Sequence, residues 1–190
     1  MTIEKSNSTE KFAEQLDARA QLYMAAFANF PWFEVLAEAE AKARLETSRN
    51  KAGFAFVDKV EAEALLGSAW YDAPTLGELE SERGPELAEF AKTILEDRGI
   101  AHLIWERDVM VDPNHWKKGI ATEIRNAMLE EIQESFGEAL ILTRMRDDNT
   151  GIIKVAERLG FQRTGIRRPS SQTPNFMHEF WYKILEKKIE

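Results

Sequence analysis

The junction between a strand and a helix at residues 109–128 constrains the fold of this chain more than any other stretch. Residues 109–111, Val-Met-Val, end an apolar run that is typical of a buried strand. Pro113 has no backbone N–H to give to a sheet, so the strand is predicted to stop before it. The turn at residues 117–119, Lys-Lys-Gly, then opens a helix whose apolar residues recur at helical spacing: Ile120, Ile124, Met128 and Ile132.

The start of this helix is predicted to bind an anion. The first N–H groups of a helix have no partners within it, and here they point back toward the end of the strand. Gly119 allows the backbone to approach a ligand, Ala121 adds little bulk, and the two lysines raise the local potential. The alternative is an ordinary connection with a solvated lysine pair, which this stretch alone leaves open.

Composition bounds the size and class of the protein. A chain of 190 residues that is 44% hydrophobic can build one well-cored domain. We expect a flexible polar tail over residues 1–8 and a single domain over residues 9–190, with a helical insertion at about 74–98. No apolar run reaches the roughly 18 residues of a membrane span, and the N-terminus lacks a secretion signal. These features predict a cytoplasmic protein with no membrane partner.

Cysteine and histidine usage argues against a metal site. The chain has no cysteine, which excludes disulfides and thiolate ligands, and its three histidines have no ligand-like spacing. The net charge of −8 argues against a nucleic-acid partner. Residues 139–170 nevertheless carry seven basic and three acidic residues, or +4, and residues 72–97 carry −6. One region suits an anion and the other a cation, unless both are merely solvated surfaces.

Hydrophobic periodicity predicts an α/β (α+β) fold with a mixed, mostly antiparallel central sheet flanked by helices. The second half alternates strands with helices, which implies crossover connections, and two strands of the first half form a hairpin. The predicted helices are residues 9–30, 33–47, 85–98, 117–132 and 150–159. The predicted strands are residues 54–57, 64–71, 100–111, 139–145, one that begins at 161, and 176–185, with a loop at 168–175.

A second motif, made of Asn149, Ala156 and the pair Gly160-Phe161, completes a resemblance. Together with residues 109–121, these positions resemble the GNAT superfamily of acyl-CoA-dependent N-acetyltransferases in order and spacing. The resemblance is close over residues 99–167 and looser over residues 9–71. Two family residues are replaced: Trp116 stands where the family has Gln or Arg, and Ala156 stands where it has tyrosine.

The resemblance implies acetyl-CoA as the co-substrate. The family places the pantetheine arm alongside the strand that ends at Val111, where backbone groups bond it, and the pyrophosphate on N–H groups of residues 117–122. A polyanion of this kind fits the +4 region. The implied cofactor-binding residues are Val109, Met110, Val111, Lys117, Lys118, Gly119, Ile120, Ala121, Thr122 and Asn149.

The implied reaction is direct attack of an amine on the thioester. Glu106 and Asp108 alternate onto one face of their strand, where either carboxylate could act as the base; the alternative is a solvent-facing polar side. His178 is a weaker third candidate. The replacement of the family tyrosine by Ala156 predicts slowed transfer, because a thiolate leaves tolerably well without a dedicated acid.

The acceptor is predicted to be a cationic amine, either a small molecule or a peptide, because residues 72–97 are acidic. A second copy of the chain is also a candidate partner, in a homodimer, although no feature of the sequence specifies it. The main alternative is a catalytically impaired acyl-CoA-binding or scaffold module, which Trp116 and Ala156 favour. A nucleotide-binding protein is disfavoured, because residues 118–122 lack the glycine spacing of a phosphate loop.

Overall fold

The computed structural model describes residues 2–170 and 175–187. The helices are α1 Thr9–Glu14, α2 Leu16–Phe27, α3 Glu38–Arg49, α4 Leu76–Arg83, α5 Pro85–Arg98, α6 Ile120–Phe136 and α7 Thr150–Arg158. The strands are β1 Thr2–Ser6, β2 Ala55–Glu61, β3 Ala64–Asp72, β4 His102–Val111, β5 Ala139–Arg146, β6 Gln162–Pro169 and β7 Met177–Leu185. Within the described residues, no helix has the length and apolar composition that crossing a bilayer requires.

The strands form one mixed sheet in the order β1-β2-β3-β4-β5-β7-β6. β4 and β5 pair in parallel, whereas β1 with β2, β2 with β3, β5 with β7 and β6 with β7 pair antiparallel. The predicted α/β fold with a mixed sheet flanked by helices is therefore confirmed.

The chain divides into two compact units. The first unit contains Met1–Asp72 and Arg107–Glu131, and the second contains Ala73–Glu106 and Ile132–Glu190. β4 and α6 each contribute residues to both units. The single domain expected over residues 9–190 stays a prediction.

In the first unit, α1, α2 and α3 bury an aromatic cluster against β2 and β3. The Phe12 ring makes edge contacts with Phe54, Phe56 and Trp70, at centroid distances of 4.9, 5.3 and 6.1 Å. Ser8 caps α1 by accepting the Lys11 N–H at 3.1 Å, which satisfies one of the unpaired amides of that short helix.

Gly67 of β3 sets how closely α6 can approach the sheet within the first unit. A Cβ placed on Gly67 would lie 2.6 Å from Ile124 Cδ1 and 2.9 Å from the Met110 carbonyl oxygen. Neither distance is compatible with a real side chain. The glycine therefore lets the first turns of α6 pack directly on the strands beneath them.

In the second unit, α4 and α5 cover apolar residues of β4, β5 and β7. A capping box begins α4, in which Thr75 accepts the Glu78 N–H and Glu78 accepts the Thr75 N–H. Pro85 occupies the first turn of α5, and Gly99 ends that helix in the left-handed conformation. The parallel pairing joins His102–Trp105 to Ala139–Leu142.

Several predicted elements have different bounds in the structure. Residues 2–6 of the predicted flexible tail form strand β1, paired with β2, so that prediction is wrong for them; Met1 lies outside the described residues. The predicted helix over residues 9–30 is broken at Gln15 into α1 and α2, and the helix predicted from residue 33 begins at Glu38. Pairing with a distant strand and a break between two helices both depend on tertiary contacts, which local propensity does not encode.

Two further differences concern short segments. Helix α4 lies within the helical insertion predicted at about residues 74–98, but it was not predicted as a separate helix, because only Leu79 of its residues is buried and it therefore shows no apolar stripe. The loop predicted at residues 168–175 contains the end of β6, and its residues 171–174 lie outside the described part of the chain.

Candidate active site

In the first unit, side chains hold the turn that follows β4. The Asp112 N–H donates to the Leu66 carbonyl of β3 at 2.9 Å, which continues the sheet one residue past Val111. The Trp116 indole Nε1–H donates to the Val111 carbonyl at 2.8 Å. Trp116, which replaces the family Gln or Arg, therefore already donates to one of the backbone carbonyls that the resemblance implied for the cofactor.

The Asp112 carboxylate ties this turn together. It accepts the Asn114 N–H at 2.9 Å and contacts His115 Nδ1 at 3.0 Å. Burial alone would raise the pKa of Asp112, but the Asn114 N–H and His115 outweigh it and hold that pKa below its ordinary value. The carboxylate is consequently ionised at neutral pH and keeps its hydrogen bonds there.

The start of α6 is open and rich in donors. Lys117 and Gly119 have positive φ values of 62° and 86°, and both lysines of the turn are exposed. The Gly119 carbonyl accepts the Glu123 N–H at 3.0 Å, so the hydrogen-bond ladder of α6 begins there. The N–H groups of residues 120–122 consequently have no acceptor within the helix. A Cβ placed on Gly119 would meet no atom of another described residue within 4 Å beyond its chain neighbours.

The predicted cofactor-binding residues contribute mainly their backbone to this turn. Ile120 is buried beside Gly67, and the Met110 side chain belongs to the aromatic cluster, so neither side chain faces solvent. Val109, Ala121 and Thr122 are half-buried. A ligand at this turn would therefore meet amide groups and the two lysine side chains.

Asn149 lies in the second unit, where it has a structural role. Its side chain accepts the Ile152 N–H at 3.4 Å as the N-cap of α7. Ala156 of the same helix is fully buried, and its carbonyl accepts the Phe161 N–H at 3.0 Å. A tyrosine at position 156 would need volume that these surroundings do not offer.

Glu106 is a buried carboxylate of the second unit. Its side chain is only 3% exposed, and the Thr143 hydroxyl donates to Glu106 Oε1 at 3.3 Å. The solvent-facing alternative is therefore wrong for Glu106. Thr143 was not among the predicted site residues, although it is a polar residue inside the apolar run of β5.

Asp108 belongs to the first unit, where its negative charge influences the pKa of the buried Tyr23 hydroxyl. Burial raises the pKa of Tyr23, and the negative charge of Asp108 raises it further, while a hydrogen bond with Arg44 opposes both. Arg44 in turn forms an ion pair with Glu34 at 2.8 Å. Tyr23 is therefore a neutral hydroxyl at physiological pH.

His178 is poorly suited to be the base. It is 5% exposed, and burial lowers its pKa to about 4, with the positive charges of Arg144 and Arg146 contributing. A group with this pKa is neutral at pH 7 and takes up a proton far less readily than an alkylamine.

The net charge of +4 over residues 139–170 is larger than the positive charge that a ligand would meet, because part of it is already paired. Three of its arginines form ion pairs within the second unit: Arg146 with Asp148, Arg163 with Glu179, and Arg167 with Asp147.

In the part of the chain that the structure describes, no three histidine or carboxylate side chains are grouped to hold a metal ion.

Comparison with known proteins identifies the family. The family model for the acetyltransferase (GNAT) domain matches residues 5–162. No curated protein matches the chain.

Solved structures share the fold at low sequence identity. Ribosomal-protein-alanine N-acetyltransferase from Brucella melitensis is 19% identical with a TM-score of 0.66, over 97% of this chain and 100% of that one. Phosphinothricin acetyltransferase from Sinorhizobium meliloti, in complex with acetyl-CoA, is 16% identical with a TM-score of 0.64, over 98% and 90%. A Salmonella typhimurium protein with its cofactor acetyl-CoA is 14% identical with a TM-score of 0.65, over 100% and 98%.

The family match covers most of the chain, and the mixed seven-stranded sheet agrees with the mixed sheet predicted from the sequence. The chain therefore belongs to the GNAT acetyltransferase family and is an acyltransferase whose co-substrate is acetyl-CoA.

Proposed function

We propose that this protein transfers the acetyl group of acetyl-CoA to a primary amine by direct attack. The observation that carries the proposal is the open turn at residues 117–119, which presents unpaired amides of α6 beside two exposed lysines. Anionic phosphates are stabilised where a helix begins, because its N–H groups and dipole both favour negative charge.

In this proposal the pyrophosphate of acetyl-CoA binds the N–H groups of residues 120–122, next to Lys117 and Lys118. Gly119 supports this because the space beside it is open, and Gly67 supports it by bringing α6 close to β3 and β4. The thioester arm lies along residues 109–111. It does not use the Val111 carbonyl, which accepts the Trp116 indole N–H. The predicted contact between Asn149 and the cofactor stays a prediction, and the Asn149 side chain caps α7.

The reaction begins when the neutral amine nitrogen attacks the thioester carbonyl carbon. A C–N bond forms, and an amide N–H of β4 stabilises the negative charge that develops on the carbonyl oxygen. The nitrogen then gives up its extra proton, the C–S bond breaks, and the thiolate leaves and takes up a proton from water. A thiol has a pKa near 8.5, so the step proceeds without the tyrosine that Ala156 replaces.

An amine acceptor needs a base, because most alkylamines are protonated at neutral pH. The two candidates are Glu106 and Asp108, which stand two residues apart in β4. We favour Glu106 because its carboxylate is shielded from water and oriented by the Thr143 hydroxyl. A positioned general base contributes about 10²- to 10⁴-fold to rate.

The acceptor is proposed to be a cationic small molecule or peptide, on the basis of the acidic stretch at residues 72–97. Two of these carboxylates have other partners: Asp72 forms a bidentate ion pair with Arg107, and Glu78 caps α4. The support for a cationic acceptor therefore rests on exposed residues such as Glu80 and Glu86. A cytoplasmic location and a homodimer remain predictions from sequence.

Thiol release from acetyl-CoA with a panel of amines tests the reaction. We expect amine-dependent release, with kcat/KM reduced about 10²-fold or more in Glu106→Gln and by less than tenfold in Asp108→Asn. The reverse order would make Asp108 the base. Stabilisation by coenzyme A without thiol release for any amine would instead indicate the acyl-CoA-binding module.

Lysine substitutions test the cofactor site separately. The double variant Lys117→Gln/Lys118→Gln is expected to raise the KM for acetyl-CoA while the KM for the amine stays unchanged. If the acceptor is cationic, Gln substitution of Glu80 and Glu86 should raise the KM for the amine while the KM for acetyl-CoA stays unchanged. Equal affinity for neutral and cationic amines in the parent protein would contradict the cationic acceptor.

A further inference from the structure

A buried lysine of β2 lies beneath the first turns of α6 in the first unit. Lys59 is 7% exposed, and in the antiparallel pairing of β2 with β3 it lies opposite Gly67. Directly opposed residues of two paired strands project to the same face of the sheet. A Cβ on Gly67 would meet Ile120 and Ile124 of α6. The Lys59 side chain therefore projects to the face that α6 covers.

The Lys59 ammonium forms an ion pair with the acidic residue in the first turn of α6. Lys59 Nζ lies 2.5 Å from Glu123 Oε2. The Glu123 N–H donates to the Gly119 carbonyl, so Glu123 directly follows the three residues whose N–H groups have no acceptor within the helix. Helix side chains lean toward the N-terminus of their helix. The Glu123 carboxylate is consequently within one turn of the N–H groups of residues 120–122.

The two partners of this ion pair differ in their exposure to water. The Glu123 side chain is 50% exposed, whereas the Lys59 side chain is 9% exposed. A carboxylate near the start of a helix interacts favourably with the helix dipole, and it competes there with any bound anion. Without the Lys59 ammonium, Glu123 would therefore oppose the binding of a phosphate at the start of α6.

We propose that Lys59 is a positioning residue for the co-substrate, a role that rests on the proposed binding of acetyl-CoA at this turn. Lys59 cancels the charge of Glu123 and holds its carboxylate toward β2, so that the amides of residues 120–122 and the Lys117 and Lys118 side chains can receive the phosphates. Loss of the ammonium lowers the charge at the start of α6 by one unit. Such a change is felt strongly by a polyanion, because charges beside a partly buried site are only partly screened.

Calorimetric titration with coenzyme A tests this role without any acetyl transfer. Lys59→Gln is expected to weaken the binding of coenzyme A by about three- to tenfold, because it leaves the Glu123 charge without its counter-ion. The loss should shrink as the ionic strength is raised, because salt screens the half-exposed carboxylate. Lys59→Arg retains the charge and should recover most of the affinity. A loss that is independent of salt would indicate a merely structural role and contradict the proposal.

A second change, at Glu123, gives the sharpest test. Glu123→Gln removes the carboxylate and retains the ammonium, so coenzyme A should bind about threefold more tightly. The double variant Lys59→Gln/Glu123→Gln has the same net charge as the parent protein and should bind with an affinity within about twofold of it. A double variant that binds as weakly as Lys59→Gln would overturn the proposal. An unchanged affinity in Glu123→Gln would also overturn it, and that variant keeps the buried lysine and so does not depend on the folding of Lys59→Gln.

The ion pair between Lys5 and Glu130 provides the matched control on the same helix. Lys5 Nζ lies 3.5 Å from Glu130 Oε2. Glu130 is seven residues beyond Glu123, or about 10 Å along the axis of α6. Glu130→Gln removes the same charge from that helix and should leave the affinity for coenzyme A unchanged, because the effect of the helix dipole is confined to the first turn. A gain equal to that of Glu123→Gln would reduce the effect to net charge and contradict the proposal.

Two outcomes separate this role of Lys59 from the proposed function. If the parent protein binds coenzyme A and Lys59→Gln binds it equally well, the role of Lys59 is refuted and the cofactor site stands. If the parent protein takes up no coenzyme A, the proposed function is refuted, and the role of Lys59 with it.

Discussion

Both units of the molecule bury arginines, and two of these, Arg19 and Arg146, are neutralised in different ways. Arg19 in the first unit is 0% exposed, and Arg146 in the second is 2% exposed. Arg19 forms a bidentate ion pair with Asp58, 39 residues away, and its guanidinium also donates to the Ser68 hydroxyl at 2.8 Å. Arg146 pairs with Asp148, two residues along the chain.

The difference lies in how far apart the paired residues are in the chain and how well water reaches them. Around Arg19 the network is neutral, since Ser68 also donates to Asp58 at 2.7 Å and the guanidinium stacks on Phe12 and Phe56. Around Arg146 the pairing is local, because Asp148 lies two residues away and its side chain is 20% exposed. A closed, buried network serves stability by joining distant segments, whereas a pair between near neighbours that water can reach contributes less.

The largest expected effect comes from removing the carboxylate of the closed network. Asp58→Ala leaves Arg19 buried without its counter-ion, which should cost about 3–5 kcal/mol of unfolding free energy. Asp148→Ala should cost less, about 1–2 kcal/mol, because the Asp148 side chain is 20% exposed and water can replace it. Urea denaturation of both variants measures the difference, and Glu4→Ala at an exposed ion pair is the control. Equal losses for Asp58 and Asp148 would remove the contrast.

Acid should destabilise the second unit through His178. Its folded pKa, about 4, lies below that of an unfolded histidine, so the unfolded chain binds the proton more readily. The contribution of His178 is complete above about pH 6.5 and is lost as the pH falls toward 4, to a total of about 3 kcal/mol at most.

The measurement is urea denaturation at pH 5 and pH 7.5 for the parent protein and for His178→Gln. The variant should lose less stability than the parent on acidification, because the glutamine has no proton to take up. The same slope in both proteins would contradict a neutral, buried His178.

Glycine substitutions compare how tightly the two units pack. Gly67→Ala in the first unit forces Ile124 and the Met110 carbonyl aside, at a cost of about 1–3 kcal/mol. The variant should also bind acetyl-CoA more weakly if α6 moves away from the strands. Gly77→Ala in α4 meets no atom within 4 Å and should stabilise by about 0.5–1 kcal/mol. Thermal unfolding and calorimetric titration measure both effects.

The smallest expected effect compares one helix cap in each unit. Thr75 begins α4 with a reciprocal capping box, while Ser8 begins α1 with a single side-chain bond to the Lys11 N–H. Thr75→Ala should cost about 1 kcal/mol, and Ser8→Ala somewhat less. Thermal unfolding of the two variants measures these losses. A larger loss of unfolding free energy in Ser8→Ala than in Thr75→Ala would contradict this order.

Much of the fold and one part of the candidate site were predictable from local patterns. Apolar periodicity, together with Pro113 and Gly119, predicts strand β4, the turn at residues 117–119 and helix α6. The anion site at this turn was predictable as well, because the backbone itself supplies its donors. Thr143 beside Glu106 and the Trp116 bond to Val111 were not predicted, because each depends on which side chains meet after folding.

The sequence by itself determined the strand-turn-helix that offers amides to an anion, since a proline, a glycine and a 3.6-residue period act within about 20 neighbouring positions. Only the tertiary structure decided that residues 2–6 form a strand, that Gly67 lets α6 pack closely, and that Arg19 meets Asp58. These contacts join residues that are far apart in the chain. They are set by strand register and close packing, and neither can be read from local composition.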